Sequence, residues 1–299
     1  MASRNPITLE ALEILDAIDR RGSFAKAAEE LEKATSALSY GVQKLEEQLD
    51  ISLFRRQGRR SVLTPAGKLV LEEGRTILEA SARLADRARE VATGWEPRLR
   101  ITVESLHSYP AFFAILAAFL QDHASIEVDV SESVLNGGWE ALEQDRVDLV
   151  VGAPGPVPRQ LGYRAIALDK PDLVPVIASG HALAHLAGDA AGLQAVLPSV
   201  RRIITHDSSA AGIVRAAGLV DGTSRLFVQN IEQKQEAIQA GLGIGHLPRH
   251  RIRGELEAGE LIELALERGE KAESYLAWKL SNRGKGLAAL ARMLAGDKW

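Results

Sequence analysis

Apolar positions near the amino end recur every three to four residues. Leu9, Leu12, Ile14, Leu15 and Ile18 form one stripe, Phe24, Ala27, Ala28 and Leu31 a second, and Leu38, Val42, Leu45 and Leu49 a third. That spacing predicts three short helices, each burying one side. Gly22 is placed to stop the first helix and Ser23 to cap the second. Away from its apolar stripe the third helix carries Thr35, Ser36, Ser39, Tyr40, Gln43 and Lys44, all hydrogen-bonding groups. Residues 52–56 and 60–63 read as two extended pieces about a turn at Gly58, a hairpin.

Thr64-Pro65, an N-cap followed by proline at the first helical position, opens a long helix reaching to about Ala92. Val70, Ile77, Leu84 and Val91 stand seven residues apart along it, and Gly74, Ser81 and Ala88 follow the first three at four. Large and small residues alternating on this period predict a seam for dimerisation. Thr93-Gly94 and Pro97 then break the helix. From Leu99 onward the pattern becomes alternately β and α. Strands are expected at 99–103, 126–130, 147–152, 172–178, 201–206, 225–230, 243–248 and 274–280, with helices at 110–122, 138–145, 231–240 and 286–294. Two α/β lobes result.

Composition adds limits. A chain of 299 residues can bury the cores of two or three modest domains. With 46% hydrophobic and 25% charged residues it has the make-up of an ordinary globular protein. It has no cysteine, which excludes disulfides and thiolate metal sites and points to a reducing cytoplasm. The first residues lack the build of a signal peptide, and the longest strongly apolar run, 111–120, is too short to span a bilayer. A cytoplasmic protein with no membrane contact is expected. The net charge of −4 argues at first against a nucleic-acid partner, but it all falls in residues 99–299. Residues 1–98 balance 16 basic against 16 acidic side chains, and Arg55, Arg56, Arg59, Arg60 and Lys68 occur with no acid between Ile51 and Leu71. The signal is a local basic cluster.

The residues Gly22-Ser23-Phe24, Ala27-Ala28, Leu31, Ser36-Ala37-Leu38-Ser39, Leu45-Glu46, Leu53-Phe54, Arg56, Leu63-Thr64 and Gly67 form a pattern that resembles the LysR-type transcriptional regulators. Val147-Asp148-Leu149 and Gly241-Leu242-Gly243-Ile244-Gly245 with Pro248 resemble the effector-binding part of that family, so the likeness covers nearly the whole chain. It implies a winged helix-turn-helix, a long linker helix and a two-lobed α/β effector domain shaped like a periplasmic binding protein. The expected domains are 1–64, 65–93 and 94–299, the last divided into lobe 1 (about 99–167 plus 269–299) and lobe 2 (about 168–268). Implied partners are double-stranded promoter DNA, a small-molecule effector (a small organic acid or an aromatic compound) and further copies of the chain as dimer or tetramer. Neither cofactor nor metal is implied, and no catalysis.

On this resemblance Thr35, Ser36, Ser39, Tyr40, Gln43 and Lys44 face the major groove, where a polar helix face can meet base edges. Arg55, Arg56, Arg59 and Arg60 form the wing, reaching phosphates or the minor groove. Lys33 replaces the family's usual aliphatic residue and Ala34 its usual capping Ser or Thr, so Thr35 is expected to cap one residue late. Gly41 stands where Gln is common, costing about 1 kcal/mol of helix propensity. The effector pocket would fall on Ser105, His107, Asn136, Gly137, Trp139, His206, Asp207, Asn230 and His246, at strand ends facing the cleft.

Three other patterns reduce to loops. His206-Asp207-Ser208-Ser209 has the letters of a hydrolase triad, but neighbours in sequence cannot form the relay. The glycines at 241, 243 and 245 join helix to strand, the reverse of a phosphate-binding loop. His181 and His185 have helical metal-ligand spacing with no third ligand suggested nearby. An enzyme reading therefore lacks a nucleophile with its base, and a solute-binding protein would leave the first 97 residues without a purpose.

Overall fold

The computed structural model describes residues 5–57, 60–158, 162–210, 224–266 and 273–296, with all their side chains except those of Arg56, Arg60 and Glu90. They form two compact units that meet in sequence at Arg89/Glu90. Among the described residues no helix is long and apolar enough to cross a membrane.

The first unit opens with α1 (Leu9–Arg21), which Thr8 caps by accepting the Ala11 N–H and which Gly22 ends in the left-handed region at φ 71°. Ser23 caps α2 (Phe24–Glu30) by accepting the Lys26 N–H at 3.2 Å. α3 (Thr35–Leu49) follows. Thr35 does not cap it: the cap position is Ala34, whose side chain has no acceptor, so α3 starts without a side-chain cap. Lys33, the other departure in this turn, makes an ion pair with Glu10 of α1. β1 (Phe54–Gln57) and β2 (Arg60–Leu63) pair antiparallel, Phe54 opposite Leu63. The first strand thus lies further along the chain than 52–56. The core gathers Leu15, Ile18, Ala27, Leu38, Val42 and Leu45 from the three helices and Leu53 from the turn before β1, with Phe54 and Leu63 of the hairpin packed against it.

α4 (Pro65–Thr93) starts where Thr64 accepts the Gly67 N–H at 3.0 Å. Its expected seam divides. Val70 is half-buried against the unit's own core, and a Cβ on Gly74 would stand 2.7 Å from the Leu12 side chain of α1. Val70 is therefore removed from the free face, because the first turns of α4 close the core of their own unit. Arg75 fastens this contact with bonds to Asp16 at 2.7 Å and Asp19 at 2.8 Å. Burial raises the Asp16 carboxyl, but hydrogen bonds from Arg20 and Arg75 outweigh it and hold the group below its ordinary value. Ile77, Leu84 and Val91 remain 46%, 70% and 87% exposed.

The second unit contains β3 (Arg98–Glu104), α5 (Tyr109–Asp122), β4 (Glu127–Ser133), α6 (Gly137–Glu143), β5 (Leu149–Pro154) and β6 (Tyr163–Ala167), then β7 (Leu173–Ala178), α7 (Ala190–Val196), β8 (Arg202–Thr205) and β9 (Arg225–Val228). It finishes with α8 (Ile231–Gln239), β10 (Gly245–Pro248), α9 (Arg253–Glu257), β11 (Leu261–Glu263), β12 (Ser274–Lys279) and α10 (Lys285–Ala295). One sheet has the order β4-β3-β5-β12-β6, with β12 entering antiparallel between two strands that precede it by far in sequence. α5 and α10 cover one face through Phe112, Leu116, Phe119, Leu287 and Leu290, while Trp139 and Leu142 of α6 pack with Val150 and Ala277. The other body joins β10-β7-β11 to the parallel pair β8-β9, linked by Ile203 N–H to the Ile244 carbonyl at 2.9 Å. The sequence pattern did not disclose β6, β11, α7 or α9, which are short and carry too few alternations to register.

Glu96, buried just after α4, closes this unit on itself. Its carboxylate accepts the N–H groups of Gly286 at 2.8 Å and Leu287 at 3.0 Å, the first turn of α10. A Cβ on Gly284 would overlap that carboxylate, so the cap needs glycine there. Glu96→Ala removes two buried charge-assisted bonds and a helix cap together. It is expected to lower stability by about 2 kcal/mol, read as a reduced urea midpoint of the intact protein; an unchanged midpoint would mean that α10 does not need this carboxylate.

Candidate functional site

The exposed face of α3 is built by its buried one. Leu38, Val42 and Leu45 face the core, and on a 3.6-residue turn this leaves Thr35, Ser36, Ser39, Tyr40, Gln43 and Lys44 outside, Tyr40 at 67% exposure. The Ser39 hydroxyl donates to the Thr35 carbonyl at 3.0 Å, and the Gln43 amide donates to Glu47 at 2.9 Å. Glu46, on the flank, accepts the Leu53 and Phe54 N–H groups at 2.6 and 3.0 Å, tying the start of β1 to α3. An edge-to-face contact between Phe24 and Phe54, centroids 5.4 Å apart, ties β1 to α2 as well. Arg55 is exposed on the hairpin. Arg59 lies outside the described residues, as do the side chains of Arg56 and Arg60. Glu46 was legible only as part of the family pattern; nothing in its spacing announced that it holds the hairpin.

In the second unit, loops from the two sheet bodies meet. Asn136 donates to Asp207 at 3.0 Å. The Ser208 N–H and hydroxyl both reach the Val134 carbonyl at 3.1 Å, and the same hydroxyl lies 3.0 Å from the Val134 N–H. The Ala210 N–H is shared by both Glu140 oxygens at 3.0 Å. A Cβ on Gly137 would overlap the Ser208 hydroxyl, so this closure requires glycine. The half-buried Leu106, from the loop after β3, packs on the core of the opposite body.

The expected pocket residues separate accordingly. Asn136, Gly137 and Asp207 come together at this closure. His206 is exposed and stacks on Phe227 with centroids 5.1 Å apart, and no triad relay forms, since Asp207 accepts from Ser209 and Asn136. Ser105 is 1% exposed, its N–H given to the Ser133 carbonyl at 2.9 Å. Asn230 caps α8 by accepting the Gln233 N–H at 3.0 Å. Trp139 is not a pocket residue: it is 7% exposed in the core and its indole N–H donates to the Pro154 carbonyl at 2.8 Å. His181 and His185 serve their own turn, through the Leu183 N–H and the Ala182 carbonyl. Ser208, Val134 and Glu140 were missed, having no motif beyond the discarded triad letters.

His107 lies with Nε2 2.8 Å from the Ser274 hydroxyl, and its ring fills the place a side chain on Gly152 would take. Burial, with His250 nearby, lowers its pKa to about 4. His246 in β10 is likewise lowered to about 4 by burial, then by Lys234 and Arg202, and its Nδ1 is buried with no partner among the described residues. Lys234 of α8 is itself buried, which brings it down to about 8.

A helix pair with an anchored hairpin, followed by a long helix and a two-bodied α/β unit, is the domain plan that the sequence resemblance implies. Comparison with known proteins assigns it. Residues 9–68 match the "Bacterial regulatory helix-turn-helix protein, lysR family" and residues 92–297 the "LysR substrate binding domain". The chain belongs to the LysR family of transcriptional regulators. It is 36% identical over 285 residues to the probable HTH-type transcriptional regulator YhaJ of Escherichia coli K12, covering 95% of each chain. It is 32% identical to the HTH-type transcriptional regulator PunR of the same strain, covering 96% of this chain and 92% of that one. The fold matches CbnR, a LysR family transcriptional regulator, at TM-score 0.63 with 17% identity, covering 98% and 100%. CbnR has also been solved complexed with its target DNA (TM-score 0.63, 18% identity, 96% and 99% covered).

The two lowered histidines set a direction with pH. Between their unfolded value of 6.5 and about 4, the unfolded chain takes up protons that the folded one refuses, so their contribution is full above 6.5 and lost on acidification. Glu104, raised to about 7 chiefly by burial, acts oppositely over about 4.5 to 7. His246→Gln should therefore shrink the loss of stability between pH 7 and pH 5 by about 1–2 kcal/mol. Urea midpoints of the two proteins at both pH values measure this, and an equal loss in both would show His246 to be protonated in the fold.

Proposed function

We propose that α3 reads operator DNA in the major groove while the hairpin grips the backbone, and that a small molecule in the cleft of the second unit modulates promoter binding. One observation carries the DNA half: every side chain on the outer face of α3 from Thr35 to Lys44 that was expected at base edges is exposed above an apolar buried face. Gln43 can pair with adenine once it leaves Glu47, and Lys44 can reach guanine or a phosphate. Arg55, Arg56, Arg59 and Arg60 supply the phosphate grip. Ile77, Leu84 and Val91, exposed at seven-residue spacing, support pairing of two copies along α4, as a dimer or as half of a tetramer.

The cleft half rests on the convergence of loops around Asn136 and Asp207 from opposite bodies. A ligand favouring one degree of closure shifts the population of closed chains, and with it the spacing and bend of the DNA that paired copies hold. The sequence offers two ligand classes, a small organic acid and an aromatic compound. The stacked, exposed His206–Phe227 pair favours the second.

A gel shift on the intergenic DNA upstream of its own gene tests the DNA half, with retardation expected at low salt. Arg55→Ala should weaken binding to all sequences alike and lower the slope of log affinity against log salt by about one; an unchanged slope would take Arg55 off the phosphate list. Gln43→Ala should relax preference at one base position, costing about 1–3 kcal/mol of discrimination there. Equal preference in a randomised-site selection would exclude that contact.

A further inference from the structure

Glu104 is the last residue of β3, and its side chain is buried at 3% exposure. Its Oε2 accepts the Leu106 N–H at 2.7 Å, while Oε1 accepts the Leu135 N–H at 3.3 Å and the Ser105 hydroxyl at 3.4 Å. The two amides come from different turns, one after β3 and one after β4. They converge on one point at the cleft end of the sheet. Leu135 adopts a left-handed backbone, φ 55°, where it offers that N–H. Backbone N–H groups converging at strand ends are the equipment with which such a cleft receives a ligand's carboxylate. Here the chain supplies the carboxylate itself.

The surroundings reinforce the point. The His107 ring closes the space over Gly152 beside Glu104, and burial keeps that ring neutral. Glu132 of β4 brings a second negative charge that acts on Glu104, and it accepts the Tyr109 hydroxyl at 3.0 Å, where Arg251 supplies a single opposing positive charge. On the opposite body, Asp207 accepts from Asn136, the residue after Leu135. Among the described residues neither Glu104 nor Glu132 has an ion-pair partner. An incoming anion would have to displace Glu104 and then sit among like charges where water is scarce.

We propose that Glu104 is a built-in occupant of this amide cradle, so that the cleft takes an uncharged or cationic small molecule and turns carboxylates away. This rests on the reading of the cleft as the effector site and narrows it by charge. Burial pushes the Glu104 carboxyl up to about 7, against the pull of its two backbone bonds, so pH 8 is the condition at which it is ionised.

The test is a ligand panel at pH 8 on the intact protein. It is composed of matched carboxylate, amide and amine triplets on common scaffolds, with benzoate, benzamide and benzylamine among them. Binding is followed by thermal shift, and hits are assigned to the cleft by slowed amide exchange over 104–109 and 133–140. Cleft hits are expected among the amides and amines, at least tenfold tighter than their matched carboxylates. Carboxylates that protect the cleft equally well would overturn the charge assignment and leave the effector reading standing. If no compound of any charge protects the cleft, the effector reading itself fails. Glu104→Gln should narrow the tenfold gap within each triplet. A folded Glu104→Gln protein that excludes carboxylates as strongly as before would show the exclusion to lie elsewhere; should that variant not fold, the wild-type panel still decides.

Discussion

One helix has to satisfy two environments at once, and the first unit is organised around that demand. The apolar edge of α3, through Leu38, Val42 and Leu45, is fixed in a core shared with α1 and α2. Burying three such side chains supplies several kcal/mol, far more than the short helix could gain from its own propensity with an uncapped start and a glycine in its second turn. The polar edge is therefore presented by packing, at no cost in hydrogen bonds to the rest of the domain. Glu46 extends the same rigidity to the hairpin, because its carboxylate orders the two amides that begin β1. The start of the hairpin is thereby fastened to the helix.

The second unit solves a different problem, keeping two bodies able to approach without fusing. Among the described residues their contact includes Ser208 on the Val134 backbone, Asn136 on Asp207 and Ala210 on Glu140, with glycine at 137 permitting the distance, and the apolar side chain of Leu106 on the opposite core. The polar contacts contribute modestly to stability, since water can replace each of them. A preference among degrees of closure can then be shifted by a ligand of ordinary affinity. Glu96, in contrast, makes its bonds in a buried setting, so the segment that follows α4 moves with α10 and with the sheet body beneath it.

Periodicity disclosed what depends on a single element's own faces. The stripes of α1 to α4, the caps at Ser23 and Thr64, and the apolar strand at Leu149–Pro154 could all be read from the sequence pattern. It failed where the decisive partner is remote in sequence. Val70 carries a heptad position, yet the neighbour that claims it belongs to its own unit. Trp139 looked like a ligand platform; a carbonyl at Pro154 and a filled core make it structural. Glu104 stands just past the expected strand at 99–103 and drew no role from its spacing, because the two amides it collects lie in separate turns. The exposure of the outer face of α3 was legible because it follows from the burial of the opposite edge. The cleft was not, because its residues are defined by two loops meeting.

The placement of β12 has a bearing on how damage to the gene would be felt. This strand is laid between β5 and β6, and α10 after it completes the cover over Phe119 and Leu116. A premature stop between β11 and β12 would thus spare the earlier secondary structure but withdraw an interior stave from the sheet, leaving β5 and β6 as two separated edges. Frameshifts late in the reading frame should behave as complete losses, cleared by proteases, and not as regulators merely deaf to their signal.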